Sequence, residues 1–379
     1  MAGSSDGDRP SALGAGAQLR RGVSVWEAIG ISVALMAPSM AANINPQVAA
    51  GAVGRAVPVA FALATIGVLL IAYTFVRLSQ RFHHAGSVYG FVGATLGPRC
   101  GVVAGWALLG TYILFGVVTS TAVGIFGSTL LDSLGIWRDQ PSWSGFLITA
   151  IALLAVFTLA IAPVRGATRI LLSIEGATVA LILIVTVVIL IRLATGTAPR
   201  GHSVDLSVFT VPSGTGFSAV FLGVVFGFLS FAGFEAAATL GEEARRPRRD
   251  IPRAILGTAI FGGVYFVFVT AVEMMAFGTD AGGVAAFAGS GSLLGDLGSR
   301  YIASWVGDVI TLGAAISGFG CALASAVGAA RLLFALTRDN VGFGGFGQVS
   351  PLRGTPDRAT AGVVAAMYLV VGCTWFILK

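Results

Sequence analysis

Nine apolar runs, each near or above the roughly 20 residues that cross a bilayer as a helix, leave this chain little choice of fold. They span about 24–49, 55–78, 98–131, 143–162, 167–194, 216–241, 252–278, 301–337 and 360–378. The third and eighth are long enough to lie strongly tilted or to protrude. Charge is correspondingly scarce: 23 basic and 17 acidic residues among 379, where a soluble chain of this length would carry roughly 95 charges in all. The pattern excludes a soluble multidomain protein and predicts an all-α polytopic membrane protein.

The formal charge of +6 invites a nucleic-acid reading, but its placement argues for topology. With the N-terminus inside, 17 basic residues fall on the cytoplasmic side, including the run from Arg245 to Arg253, against six outside: Arg55, Arg138, Arg192, Arg200, Arg300 and Lys379. That bias predicts a cytoplasmic N-terminus in a multi-pass protein of the plasma (inner) membrane, with lipid and not nucleic acid as its surroundings. Residues 1–21 are polar and Gly/Ser/Ala-rich, a tail and not a signal peptide. Cys100, Cys321 and Cys373 show no pair spacing, and His83, His84 and His202 form no ligand cluster. No metal or cofactor motif is present, and the few charges supply no convincing catalytic pair for an enzyme.

The halves share a pattern. Span 1 is interrupted at Ala37-Pro38-Ser39, and span 6 at Ser230-Phe231-Ala232-Gly233, each about fifteen residues in. Each half continues with a second span and a Gly-rich connector, Gly86 to Pro98 and Gly282 to Arg300, that feeds a long span. Gly and Pro are common in membrane helices, but two breaks in register favour an inverted repeat of five spans per half, whose matched interruptions mark a binding site. The expected division is a tail (1–21), a first repeat with spans 1–5 (22–195), an extracellular loop (196–215) and a second repeat with spans 6–9 (216–379).

Three stretches then carry a family likeness. They are Phe75-Val76-Arg77-Leu78-Ser79 through Ala85-Gly86-Ser87-Val88-Tyr89 to Gly105-Trp106; Gly233-Phe234-Glu235, Glu242-Glu243 and Pro247 to Ala254; and Ala330-Arg331-Leu332 through Arg338-Asp339 to Gly354-Thr355-Pro356. Together they resemble the amino acid–polyamine–organocation permeases, from about residue 22 to the end. The resemblance implies a LeuT-like 5+5 fold with broken spans 1 and 6, and secondary transport of amino acids or related amines. Against that fold the chain stops after nine spans, so a tenth span is expected to be missing and the form truncated.

A broken helix in a bilayer frees backbone groups at several kcal/mol each, and a zwitterion can satisfy both kinds. Its carboxylate is expected on the N–H groups near Ser39, Met40 and Ala41, its ammonium on carbonyls near Ala37 and Phe231, each favoured by a helix-end dipole. The expected substrate contacts are therefore Ala37, Pro38, Ser39, Met40, Ala41, Ser230, Phe231, Ala232 and Gly233. Here the chain departs from the family's usual Gly-Ser-Gly, and Pro38 donates no N–H while fixing its own φ.

Around the break, Leu229 stands where many relatives place a large aromatic gate, flanked by Phe228 and Phe231, although phenylalanines in spans mostly just pack. This favours an uncharged, aliphatic substrate. Glu175 lies deep in span 5, where a carboxylate is costly and by default functional. It is a candidate proton carrier beside Thr178, where some proton-coupled relatives keep a Lys. The bland reading is a protonated carboxyl bonded to a neighbouring carbonyl. Glu235, common to the family pattern, is expected to anchor the unwound segment and is the lesser coupling candidate. At Leu323-Ala324-Ser325 span 8 offers a single hydroxyl where sodium-coupled relatives use adjacent ones, which argues against sodium and for protons. Glu242 and Glu243 could pair with Arg248 as an inner latch, though exposed pairs are worth little. The expected function is proton-coupled symport or exchange by alternating access; the alternative is a non-transporting sensor on the same fold.

Overall fold

The computed structural model describes residues 24–81, 87–162, 167–240, 244–339, 341–342, 344–348, 350 and 355–377. The tail 1–21, the pair Glu242 and Glu243, and Lys379 lie outside the described residues.

The first apolar run forms α1 (Val25–Met36) and α2 (Pro38–Val53), parted at Ala37. Ser24 caps α1 in a reciprocal box: its Oγ accepts the Glu27 N–H, and the Glu27 carboxylate accepts the Ser24 N–H at 2.7 Å. A 3-10 turn (Gly54–Ala56) leads into α3 (Val57–Ser79). Then come α4 (Ser87–Leu96), α5 (Pro98–Ser133), α6 (Ser144–Ala160) and α7 (Ala167–Ala194). Proline opens α2, α5 and α9, at the helical position where a missing N–H costs nothing. The second half holds α8 (Phe217–Ser230), a 3-10 turn (Ala236–Leu240), α9 (Pro247–Phe277), α10 (Ala281–Ala288), α11 (Leu293–Tyr301), α12 (Ser304–Arg338) and α13 (Asp357–Ile377).

Each expected run contains a helix, with two differences of kind. The sixth run stops being α-helical at Ser230 and passes through turns and 3-10 geometry instead of resuming as a helix to 241. The Gly-rich connectors are helical: α4 in the first half, α10 and α11 in the second. Their glycines serve close approach. A Cβ on Gly101 would meet the Gly93 Cα at 2.9 Å, and one on Gly298 the Gly307 nitrogen at 3.2 Å.

Among the described residues, six helical stretches are long and apolar enough to cross a membrane, the first being Val25–Ser79, which holds spans 1 and 2; α6 and α8 are apolar but shorter. Large apolar side chains such as Leu70, Ile151, Ile184, Val264 and Leu369 face outward, as lipid allows and water does not. The chain is a multi-pass membrane protein.

α5 lies along α12, α3 along α9, and α2 against α8. Two apolar cores result. One gathers residues of α1, α2, α3, α7, α9, α10 and α11 and of parts of α5 and α12, with Phe231, around Met36, Phe61 and Phe266. The other joins α5, α6, α12 and α13 around Leu153, Ala326 and Met367. At 36 residues, α5 measures about 54 Å against a hydrocarbon core of about 30 Å. One end of this helix pair is tied by Tyr89 Oη to Asp339 (3.3 Å) and Trp106 Nε1 to the Val341 carbonyl (3.1 Å).

Where helices touch through glycine, a side chain has no room. A Cβ on Gly124 of α5 would lie 2.4 Å from the Gly145 carbonyl of α6, whereas one on Gly110 of the same helix meets nothing within 4 Å. Gly124→Val should therefore cost about 1–3 kcal/mol and lower the melting temperature of the detergent-solubilised protein by several degrees. Gly110→Ala should leave it unchanged or raise it, by up to about 1 kcal/mol of helix propensity. Equal melting temperatures for the two variants would contradict the α5–α6 contact.

Candidate functional site

Ala37 adopts φ 47°, ψ 56°, a left-handed conformation that costs a non-glycine residue about 1–2 kcal/mol. Its N–H is shared between the Val33 and Ala34 carbonyls, both at 3.2 Å, and α2 starts afresh at Pro38. The restart leaves the N–H groups of Ser39 and Met40 without intrahelical acceptors. Ser39 donates to Glu175 Oε1 of α7 at 3.0 Å, and Met40 donates to Ser317 Oγ of α12 at 3.4 Å. Ala41 already bonds the Ala37 carbonyl at 2.9 Å. On the acceptor side, Cys321 Sγ of α12 donates to the Leu35 carbonyl (3.1 Å) and Tyr265 Oη of α9 to the Pro38 carbonyl (3.4 Å). Side chains from α7, α9 and α12 thus converge on one broken turn. The place expected for a substrate carboxylate, on Ser39, Met40 and Ala41, is filled from within the protein, and its acidic occupant is Glu175.

The second break lies against the first. After Ser230 the chain turns through Phe231 N–H to the Phe228 carbonyl (3.0 Å), Ala232 to Leu229 (3.2 Å) and Phe234 to Phe231 (3.1 Å). Gly233 has φ 97°, and a Cβ there would sit 2.8 Å from the Leu35 carbonyl carbon, so only glycine fits both the turn and the neighbour. Two side chains brace the pair of breaks: Ser32 Oγ accepts the Ala237 N–H (2.9 Å), and Asn45 Nδ2 donates to Ser230 Oγ (2.9 Å). Phe231 is buried edge-on against Phe266, with centroids 5.3 Å apart. Ala37 to Ala41 and Ser230 to Gly233 are therefore brought together.

The remaining expected residues divide. Thr178, one turn past Glu175, bonds the Ile174 carbonyl of its own helix (2.9 Å) and abuts Gly313 of α12. Glu235 is half-buried and close enough to Tyr112 of α5 to act on it electrostatically. Phe228 turns its ring onto Gly67 of α3, and Leu229 is half-buried. Arg248 is exposed; its expected partners Glu242 and Glu243 lie outside the described residues.

Sequence reasoning passes over Glu273, on α9. It is fully buried, and neither carboxyl oxygen has a hydrogen-bond partner. The signal that singles out Glu175, a carboxylate deep in an apolar run, applies equally to it. Ser39 Oγ, Glu175 Oε2 and Ser325 Oγ are likewise buried without partners. Also unread was Asn43, which ties α2 to the start of α11. Its Nδ2 donates to the Ser39 carbonyl (2.9 Å), and its Oδ1 accepts Ser292 Oγ (3.0 Å) and the Leu294 N–H (2.9 Å). Such a constellation of buried, mutually braced polar groups suits a site that exchanges partners in an apolar setting.

The family model described as "Amino acid permease" matches residues 29–377. Among curated relatives, the low-affinity putrescine importer PlaP of Escherichia coli is 27% identical over 351 residues, covering 89% of this chain and 72% of that protein. The branched-chain amino acid permease BcaP of Lactococcus lactis is 27% identical, covering 80% of this chain and 65% of the relative. The human cationic amino acid transporter 4 is also 27% identical, covering 90% and 53%. The chain thus spans between about half and three-quarters of the length of these proteins.

Removing the Asn43 side chain strips an acceptor from two buried donors, at about 1–3 kcal/mol for a donor left unsatisfied. Asn45→Ala breaks a single side-chain pair. The melting temperature should fall clearly further for Asn43→Ala than for Asn45→Ala, a ranking that thermal unfolding of the purified variants checks directly.

Proposed function

The chain belongs to the amino acid permease family, and from that premise we propose that it is a proton-coupled secondary transporter of amino acids, working by alternating access in the plasma membrane with its N-terminus cytoplasmic. The observation that carries the reading is the 3.0 Å bond from the Ser39 N–H to Glu175 Oε1. A substrate carboxylate that takes this helix start must displace the Glu175 carboxylate. Two like charges cannot share so small a site, whereas a proton on Glu175 removes the conflict. Proton and substrate then arrive together: the proton neutralises Glu175 as the substrate carboxylate takes over Ser39, so the negative charge on that helix start is replaced and not doubled, and the one net charge gained at the break is the proton's.

An aliphatic amino acid suits the surroundings, since Met36, Met40, Phe231 and Phe266 pack beside the break. The name of the branched-chain permease among the relatives agrees with that chemistry. The fold proposed for this cycle is the LeuT-like 5+5 arrangement, with repeats over 22–195 and 216–379 joined by an extracellular loop. The arrangement of the apolar cores supports it: the two breaks share one core, α6 and α13 belong to the other, and α5 and α12 contribute to both, where one group of helices can move along the other. Rocking of the first against the second would expose the broken turn to each side alternately.

Glu175→Gln mimics the protonated carboxyl. In proteoliposomes the variant should keep counterflow of labelled L-leucine while losing acceleration of uptake by an inward proton gradient. Wild-type pH dependence in the Gln variant would place the coupling group elsewhere. Binding without counterflow in the unmodified chain would favour a sensor instead.

A further inference from the structure

Basic residues are rare on the side the charge bias places outside, yet three of the six come to one place. A cavity of about 200 Å³ is lined by Pro199, Arg200, His202, Ala276, Arg300 and Tyr301. Its wall is fixed by Tyr301 Oη, which donates to the Ala276 carbonyl at 3.2 Å and ties α11 to the last turn of α9. Arg192, in the last turn of α7, and Arg300 both act electrostatically on the Tyr301 hydroxyl, so a third guanidinium closes on the same spot.

These cations are placed, not scattered. The Arg300 guanidinium carbon stands 4.9 Å from the centre of the Phe277 ring, a contact that positions the charge without neutralising it. Arg200 holds a left-handed backbone, φ 61°, in the loop before His202. Among the described residues neither Arg200 nor Arg300 forms an ion pair. Two carboxylates lie nearby, and Asp280 Oδ1 and the His202 ring both pack against Gly278, each 2.9 Å from a Cβ placed there. Asp205 accepts Thr279 Oγ1 (2.5 Å) and the Ser207 N–H (2.9 Å), hydrogen bonds that hold it below the usual carboxylate range, and Asp280 caps α10 through the Gly283 N–H. Like charges gathered around a small concavity repel one another unless an anion joins them, and a cleft of one sign concentrates the opposite ion.

We propose that this cavity is a capture site for the carboxylate group of a small molecule, with Arg200 and Arg300 as its ligands and His202 as a further donor. It is distinct from the broken turn and sits beyond it: Ala276 lies one turn further along α9 than the buried Glu273. Two guanidiniums converging on a small volume match a planar carboxylate, which they can each engage through paired N–H groups. The choice of carboxylate over inorganic phosphate rests on the amino acid reading above; the binding of an anion does not.

The test reads the potential inside the cavity and needs no transport. His202→Cys in the 379-residue chain is labelled with the anionic sulfonatoethyl and the cationic trimethylammonioethyl methanethiosulfonates, and peptide mass spectrometry follows each cysteine. Cys100, exposed at the start of α5, serves as an internal reference. At position 202 the anionic-to-cationic rate ratio should exceed that at Cys100 by about tenfold or more. Arg200→Gln, a change at an exposed loop residue, and the double variant with Arg300→Gln should bring it down stepwise. Sodium acetate should slow labelling at position 202, whereas methylammonium chloride at equal ionic strength should not. A ratio equal to that of Cys100, or one unmoved by Arg200→Gln, overturns the anion site. Slowing by phosphate but not by acetate overturns the carboxylate assignment.

Discussion

A helix cannot be interrupted inside a bilayer unless something satisfies the backbone groups it abandons, and much of the candidate site answers that one demand. The interruption is made by Ala37 in a left-handed conformation and Pro38 at the restart. The bill of unsatisfied groups is met by four side chains on three other helices: Glu175, Ser317, Cys321 and Tyr265. Because each contributes to the same turn, α7, α9 and α12 are held in register with span 1. None of the four contacts is strong alone, and two, at 3.4 Å, are long. That suits a turn which must let go of its partners.

The second break depends on the first. Gly233 fits only because Leu35 lies where its Cβ would go, and Ser32 and Asn45 bond across the gap. Neither break would be stable as an isolated interruption; each supplies contacts the other lacks. The pair therefore belongs to one apolar core, while α5, α6, α12 and α13 share another, and the two meet mainly along α12.

Much of this was legible in the sequence because its strongest signals are local. Long apolar runs announce spans, and Pro38 announces a break, which falls at Ala37 just before it. The helical connectors were misread because Gly-rich segments look like loops until it is known that glycines such as Gly93, Gly101 and Gly298 face another backbone. The internal occupant of the helix start was not legible, since Glu175 is 136 residues from Ser39 and nothing local pairs them. Depth in a span flagged Glu175 as important, but only the fold could say which donor it meets. Glu273 was within reach of the same reasoning and was passed over. Asn43 gave no signal of its own, because one amide a few residues past Pro38 reads as part of the interruption.

The pairing of α5 with α12 has a mechanical side. Both are rods of 35 residues or more, joined near one end by Trp106–Val341 and, through α4, by Tyr89–Asp339. A stiff rod about 54 Å long turns a ten-degree rotation at one end into about 9 Å of travel at the other. With the tied end near Arg338 as pivot, Ser317 lies about 32 Å along α12, so a rearrangement there reaches the far tip enlarged about 1.6-fold. The leverage works in reverse as well. Bilayer thickness or lateral tension acting on the far ends of this pair bears on the broken turn, so the lipid becomes a quiet term in how firmly Ser317 holds the Met40 amide.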